Sequence, residues 1–427
     1  MDWVPTRALG RAILVTGVLL LVAAVFGRVD LVVLAAPFAF GTALSLRRRP
    51  LSTPDIRLST VEPFAAEGSD VAVGVHLGNP DPVGYDLALV RLALPRWLRL
   101  RHGDRPYAAP VGPGEVTDLV LRGPAVRWGR HHAGPAAALA VGCDGLLVSP
   151  TVGAAAVPLK VYPVTEPFEA DEAMPRAAGL VGQHRSRRPG EGGELAGVRE
   201  FAPGDRLRRV DWRVTLRTQR LHVASTLSDR DAEVVLLLDV LHEAGESGGI
   251  DGTASVLDTT VRAAASIAEH YLYRGDRVSM LEYGFRARRL RPASGRRQYL
   301  TVLEWLLDVR PSQSSYDPSA GVFGTHLLPA NALVVVLTPL LDARSAGMLA
   351  GLARSGRFVV AVDTLGPDAR SPRKGPWIDV AHRLFRLSRD NVVGQLREHG
   401  IPVVAWAGTG SLDQVLRDVS RQAGARK

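Results

Sequence analysis

At 427 residues the chain is too long for one ordinary domain and suggests about two or three, at ~100–200 residues each. Hydrophobic residues at 46% and charged residues at 22% exclude a wholly disordered chain, and with only 6% aromatics the core must rest on Ala, Val and Leu. Lys plus Arg number 52 against 43 Asp plus Glu, a net charge of +9 that suits nucleic acid, an anionic membrane surface or an acidic protein partner.

The cationic side is almost entirely Arg, with Lys only at Lys160, Lys374 and Lys427. The arginines are scattered rather than gathered into one tract, so nucleic acid is not an expected partner. Cys143 is the single cysteine, which excludes an intrachain disulfide, a thiolate zinc cluster and a CxxC redox pair, and fits a reducing compartment.

Residues 1–50 are expected to form a transmembrane helical hairpin. Ala12 to Phe26 is apolar apart from Thr16, Leu31 to Leu46 is nearly so, and Gly27-Arg28-Val29-Asp30 separates them. Each run has 15 or 16 residues, a little under the ~20 that cross a ~30 Å hydrocarbon core, and flanking residues close the gap. Two other readings compete. A signal peptide would take Arg7 and Arg11 as its charged start and cleave near Ala23-Ala24, but a second apolar run directly follows. A soluble helical hairpin conflicts with apolarity on all faces. Arg7 and Arg11 before the first span and Arg47, Arg48 and Arg49 after the second place both termini and the soluble parts in the cytoplasm, at the inner face of the plasma membrane.

Residues 51–163 lack a helical period and show short alternating runs between turns, which predicts a small antiparallel β-sandwich. Val71, Val73, Val75 and Leu77 alternate with small or polar residues, as do Val157, Leu159 and Val161. Turns fall at Gly78-Asn79-Pro80, Asp81-Pro82, Gly112-Pro113-Gly114 and Gly134-Pro135. His131-His132 invites a metal, but neighbours on a strand point to opposite faces. A binding or spacer role is expected here.

Residues 164–230 are expected to form a charged hinge, which includes an arginine-rich loop, Gln183 to Arg188. Glu200, Asp205 and Asp211 are interleaved with Arg199, Arg206, Arg209 and Arg213, followed by Arg217, and Pro203-Gly204-Asp205 is a turn. Guanidinium forks pair with carboxylates at two points, so the spacing suits an ordered ion-pair network. Two readings fit. The network pins the hinge while Trp212 anchors it by burial, or these nine residues form a docking surface for a partner.

Residues 231–427 alternate strand and helix, which predicts an α/β domain with a parallel sheet and helices on both faces. Strands are expected at Val234 to Leu238, Arg277 to Tyr283, Leu333 to Leu337, Phe358 to Val362 and Ile401 to Trp406. Helices are expected through Leu257 to Tyr271, Leu300 to Leu307, Ala343 to Ala353, Asn391 to His399 and Leu412 to Val419. Ligands bind such sheets at the carboxyl ends of the strands, here Asp239, Thr338-Pro339 and Asp363-Thr364. No GxGxxG, GxxxxGK[ST] or GxSxG follows any strand, so no nucleotide cofactor or nucleophile elbow is expected.

The run GVREFAPGDRLRRVDWRVTLRTQRLHV from Gly197 to Val223, followed by DRDAEVVLLLDV, resembles the signature of the bacterial domain of unknown function 58 family. The wider order of two spans, β module, signature and α/β domain is similar too. That resemblance implies a von Willebrand factor A-like fold for the C-terminal half and a MoxR-type AAA+ ATPase as partner, in assembly or maturation of other proteins, with no established enzymatic activity. It also implies a metal site of the form D-x-S-x-S plus a later Thr and Asp. Here that stretch is Asp239-Val240-Leu241-His242-Glu243, and Pro339 stands where a second Asp would be, so a degenerate site without metal is expected. The expected function is a membrane-anchored, non-enzymatic interaction protein. The alternative is a hydrolase using Asp239, Glu243 and Asp363 at the sheet edge.

Overall fold

In a computed structural model of the chain, the residues described are 3–103, 105–165, 189–202, 210–227, 233–285, 287–312, 328–329, 332–366 and 375–406. They divide into two compact units, Met1–Tyr162 and Pro163–Lys427.

The first unit opens on a short strand, β1 (Val4–Pro5), ahead of two apolar helices, α1 (Arg7–Phe26) and α2 (Val29–Arg47). At 20 and 19 residues both are long and apolar enough to cross a membrane. Their large side chains, among them Leu21, Val25, Phe26, Val33 and Phe40, are exposed. Gly27, at a left-handed φ of 62°, ends α1, and Arg28 pairs with Asp30 at 2.7 Å in the turn. The hydroxyls of Thr16 and Thr42 donate one turn back to the carbonyls of Ala12 and Phe38, both at 2.8 Å, so neither stands unpaired on the apolar surface.

The strands that follow are β2 (Asp55–Thr60), β3 (Phe64–Ala66), β4 (Asp70–Gly78), β5 (Tyr85–Leu92), β6 (Tyr107–Val111), β7 (Val116–Pro124), β8 (Gly129–Ala133), β9 (Ala136–Gly142), β10 (Leu147–Val148), β11 (Val152–Ala154) and β12 (Val157–Tyr162). They form the sheets β1-β10-β9-β5-β6 with β11 against β9, β2-β4-β7, and β3-β12-β8. Pairing is antiparallel apart from β3 and β12, which run parallel, a departure from the purely antiparallel module expected. Alternation explains the packing. Val71, Val73, Val75 and Leu77 of β4, Ala88, Val90 and Leu92 of β5, and Ala136, Ala138 and Ala140 of β9 fill one core shared by the sheets. On β8, His131 is buried with its Nε2 at 2.8 Å from the carbonyl of Arg127, while His132 faces solvent, so the adjacent pair points apart.

The turn after β4 ties the chain leaving α2 to the sheets. The Asp81 carboxylate accepts from the amides of Leu51, Ser52 and Val83 at 2.7, 2.6 and 3.0 Å. Burial pushes this carboxyl up, but those amides outweigh it and hold it below the usual range. The two helices stand on the turn before β10. Thr6 donates to the carbonyl of Gly145 at 2.7 Å, Ser45 donates to Asp144 at 2.5 Å, and Leu9 packs with Cys143, Leu146 and Leu147.

The second unit starts with a hairpin of β13 (Pro189–Glu200) and β14 (His222–Leu227), with α3 (Trp212–Thr218) between them. Its main elements are β15 (Glu233–Asp239), α4 (Val256–Tyr273), β16 (Arg277–Tyr283), β17 (Arg289–Ala293), α5 (Arg296–Leu306), β18 (Ala332–Thr338), α6 (Ala343–Arg354), β19 (Phe358–Asp363), α7 (Ile378–Glu398) and β20 (Val403–Ala405). The sheet order is β17-β16-β15-β18-β19-β20. Five strands are parallel, three of them (β15, β18 and β19) continuous apolar runs, and β17 is an antiparallel edge, so the sheet is mixed rather than purely parallel. Arg288 fixes that edge. It pairs with Glu282 at 3.3 Å, donates to the Trp305 carbonyl at 2.8 Å and lies 4.4 Å over the Trp305 ring. Val235, Leu237, Val334 and Val336 face Met348, Leu349 and Leu352 of α6 and Leu396 of α7. The alternate residues Val234, Leu236 and Leu238 point to the opposite face, where α4 packs. Helix α7 starts at Ile378, well before the expected Asn391. The expected helix through Leu412 to Val419 lies outside the described residues, as does the loop Gln183 to Arg188.

Candidate functional site

The carboxyl ends of β15, β18 and β19 bring together the residues that strand-end reasoning singled out. Asp239 is 3% exposed. Its Oδ2 accepts hydrogen bonds from Thr338 Oγ1 and Ser345 Oγ, both at 2.6 Å, and its Oδ1 accepts from the amide of Leu241 at 3.1 Å. Burial pushes this carboxyl above the ordinary range, against the pull of the Ser345, Thr338 and Leu241 donors.

Beside it, Asp342 caps α6. It accepts from the Arg344 amide at 2.8 Å, is gripped by the Arg344 guanidinium at 2.6 Å, and meets His242 Nε2 at 2.8 Å. The Arg344 guanidinium holds the Asp342 carboxyl well below the usual carboxylate range, outweighing burial. Asp363, at the end of β19, pairs with Arg389 of α7 and accepts from the Leu365 amide at 2.9 Å. Burial still pushes Asp363 upward. Glu243 accepts from the Leu257 amide at 3.2 Å, and the buried Pro339 uses its carbonyl to accept from Arg389 at 3.2 Å.

These residues do not fit a divalent-cation site. Both Asp239 oxygens are occupied by protein donors, Leu241 has no side-chain oxygen and gives its amide to Asp239, and Glu243 is turned toward the start of α4. Among the described residues no group of three His, Cys, Asp or Glu side chains is placed to hold a metal. Asp239, Glu243 and Asp363, the carboxylates of the hydrolase reading, are each engaged by a different set of partners.

In the signature, Asp205, Arg206 and Arg209 lie outside the described residues. Asp211 is the N-cap of α3, accepting from the amides of Arg213 and Val214 at 3.1 Å each. Glu200 pairs with Arg220 at 3.1 Å, and Arg199 donates to the Glu200 carbonyl at 3.0 Å. Arg213 and Arg217 are exposed. Trp212 is 63% exposed, so it is not a buried anchor, and Leu216 at 77% lies one turn further along α3. The two are exposed apolar side chains at i and i+4 of α3, each followed in sequence by an exposed arginine, Arg213 and Arg217.

Ser345, Asp342, Arg344 and Arg389 escaped the sequence reading. Asp342 carried one local signal, a short acidic residue immediately before a helical period. Ser345 carried none, since it meets Asp239 across 106 positions.

The two units thus define a protein with an apolar helix pair, β sheets and a mixed α/β sheet whose carboxyl edge is filled by its own side chains. Residues 197–378 match the family described as protein of unknown function DUF58, and the signature from Gly197 to Val223 lies within that segment. Over 158 residues the chain is 35% identical to the uncharacterized proteins Rv1480 of Mycobacterium tuberculosis (strain ATCC 25618 / H37Rv) and Mb1516 of Mycobacterium bovis, covering 36% of this chain and 46% of each relative. The chain therefore spans under half the length of the curated relatives it matches. Among solved structures, the CARDB domain of a Pyrococcus furiosus protein is 14% identical with a TM-score of 0.20, covering 26% of this chain and 96% of that domain. A non-cellulosomal cohesin from Archaeoglobus fulgidus is 18% identical with a TM-score of 0.20, covering 26% and 91%.

Proposed function

We propose that the chain is a membrane-anchored, non-enzymatic interaction protein. In this reading α1 and α2 cross the plasma membrane and the β-sandwich and a von Willebrand factor A-like α/β domain lie in the cytoplasm. A MoxR-type AAA+ ATPase docks on the signature, and together they act in assembly or maturation of other proteins.

The observation that supports docking is the exposure of Trp212 and Leu216 on α3, with the exposed Arg213 and Arg217 next to them in sequence. Trp and Arg are enriched at the centres of interfaces, and an uncovered apolar patch marks an interaction surface. The sheet edge adds to this, because its carboxylates are already engaged by hydroxyls, amides and guanidiniums of the chain itself.

Co-purification from membranes in mild detergent, with nucleotide supplied, tests the reading. An AAA+ ATPase should be recovered with the wild type, and Trp212→Ala should lower recovery about tenfold, as loss of an interface hot spot does. Because Trp212 is exposed, that variant should keep its thermal midpoint. Absence of the ATPase with nucleotide present contradicts the proposal.

A further inference from the structure

The β unit holds a cleft of about 740 Å³. It lies between the end of β5, the 93–103 loop and the start of β9. The helices stand on the turn after Gly142, at the other end of β9, about 20 Å away at ~3.3 Å per strand residue. The cleft therefore lies at the end of β9 opposite the helix pair.

Its lining has two kinds of chemistry. Leu94, Pro95 and Pro135 give apolar wall, and Arg91, Arg96 and Arg99 stand around it. Among the described lining residues none is acidic and none is aromatic. The wall is held in place. The amides of Arg99 and Arg101 donate to the carbonyls of Pro124 and Arg122 at 3.1 and 2.9 Å, which lays the loop against β7. It lies so close that a Cβ at Gly123 would meet the Arg99 carbonyl oxygen at 2.3 Å. A pre-formed cleft of this size with few charged groups is the usual form of a binding site.

We infer that this cleft binds a polypeptide segment of a partner in which carboxylates alternate with aliphatic side chains. Guanidinium forks take carboxylates at two points, and the Leu and Pro wall takes the aliphatic side chains. Single-stranded nucleic acid is the weaker match, because it needs open aromatic platforms. The nearest indole, Trp97, already has the guanidiniums of Arg96 and Arg127 over its ring at 4.0 and 4.9 Å. The inference stands on a different surface from the signature patch and needs no ATPase.

Fluorescence anisotropy on the full-length protein in detergent, with a short labelled peptide of alternating glutamate and leucine as probe, tests it. Wild type should bind, and the matched glutamine–leucine peptide should bind about tenfold more weakly, the worth of one charge-assisted pair. The double variant Arg91→Glu, Arg96→Glu should weaken binding about tenfold or more on the same scale. Ala137→Trp, which fills the cleft without changing charge, should do the same, with the thermal midpoint confirming that both variants fold. No binding by wild type, unchanged binding by both variants, or equal competition by a single-stranded oligonucleotide of the same charge overturns the inference.

Discussion

Asp239 and Asp342 are neighbouring carboxylates with opposite electrostatics, and the difference lies in their donors. Asp239 is buried with hydroxyl and amide donors, which do not fully replace water, so its folded value is raised. Asp342 has the Arg344 guanidinium in direct contact, so its folded value is depressed. For a raised group the contribution to stability is fully present below the unfolded value and is lost as pH rises through the folded value. For a depressed group it is present above the unfolded value and lost as pH falls through the folded one. The advantage of wild type over Asp239→Asn should therefore shrink as pH rises through the acid range, while its advantage over Asp342→Asn should grow. Urea titrations of the three proteins across that range decide the matter, and parallel trends for both variants would contradict it. Removing the Asp239 side chain altogether (Asp239→Ala) strands the Thr338 and Ser345 hydroxyls and the Leu241 amide, and should cost about 2–5 kcal/mol at neutral pH.

At the scale of elements, periodicity made most of the C-terminal sheet legible. Strands β15, β18 and β19 are buried on both faces, so they appear as uninterrupted apolar runs. Helix α4 shows its 3.6-residue stripe because it covers that sheet. Two elements were not legible for physical reasons. Strand β17 is a five-residue edge whose Arg289 and Arg291 break any apolar run, and its pairing depends on Arg288 reaching Glu282 and Trp305. The first half of α7 leaves Val380, Leu384 and Leu387 exposed, as is Trp377 just before it, so its period does not mark a buried face. The carboxyl-edge site was half legible: Asp239 and Thr338 end strands, whereas Ser345 and Arg389 join them only through tertiary packing. The start of α4 is a capping box in which Ser255 Oγ accepts from the Asp258 amide and the Asp258 carboxylate accepts from the Ser255 amide, both at 3.2 Å. Ser255→Ala should destabilise the unit by about 1 kcal/mol, within the ~0.5–2 kcal/mol seen for lost N-caps. A shift in the urea midpoint at unchanged slope would show it, and no shift would mean that packing alone holds the helix end.

For the whole molecule, the feature with the widest consequence is that both helices of the apolar pair return to one place, the turn before β10. Strand β1 and Trp3 join the β unit from the other side of α1, a connection of two residues that no periodicity could announce. If α1 and α2 span a bilayer with Arg7, Arg11, Arg47, Arg48 and Arg49 at the inner face, the Arg28 turn is outside and the β unit is inside. Cys143 makes the arrangement measurable. It is the only cysteine and is buried, and burial, with Asp86 and Asp144 adding to it, pushes its thiol upward, so it should react slowly with maleimide. A new thiol placed by Arg28→Cys should then be labelled in intact cells by a membrane-impermeant maleimide, at a level well above the wild-type background. One placed by His132→Cys, at an exposed position on β8, should be labelled only after the cells are permeabilised. Labelling of His132→Cys in intact cells would reverse the topology, and labelling of neither variant until lysis would remove the external turn and with it the membrane hairpin.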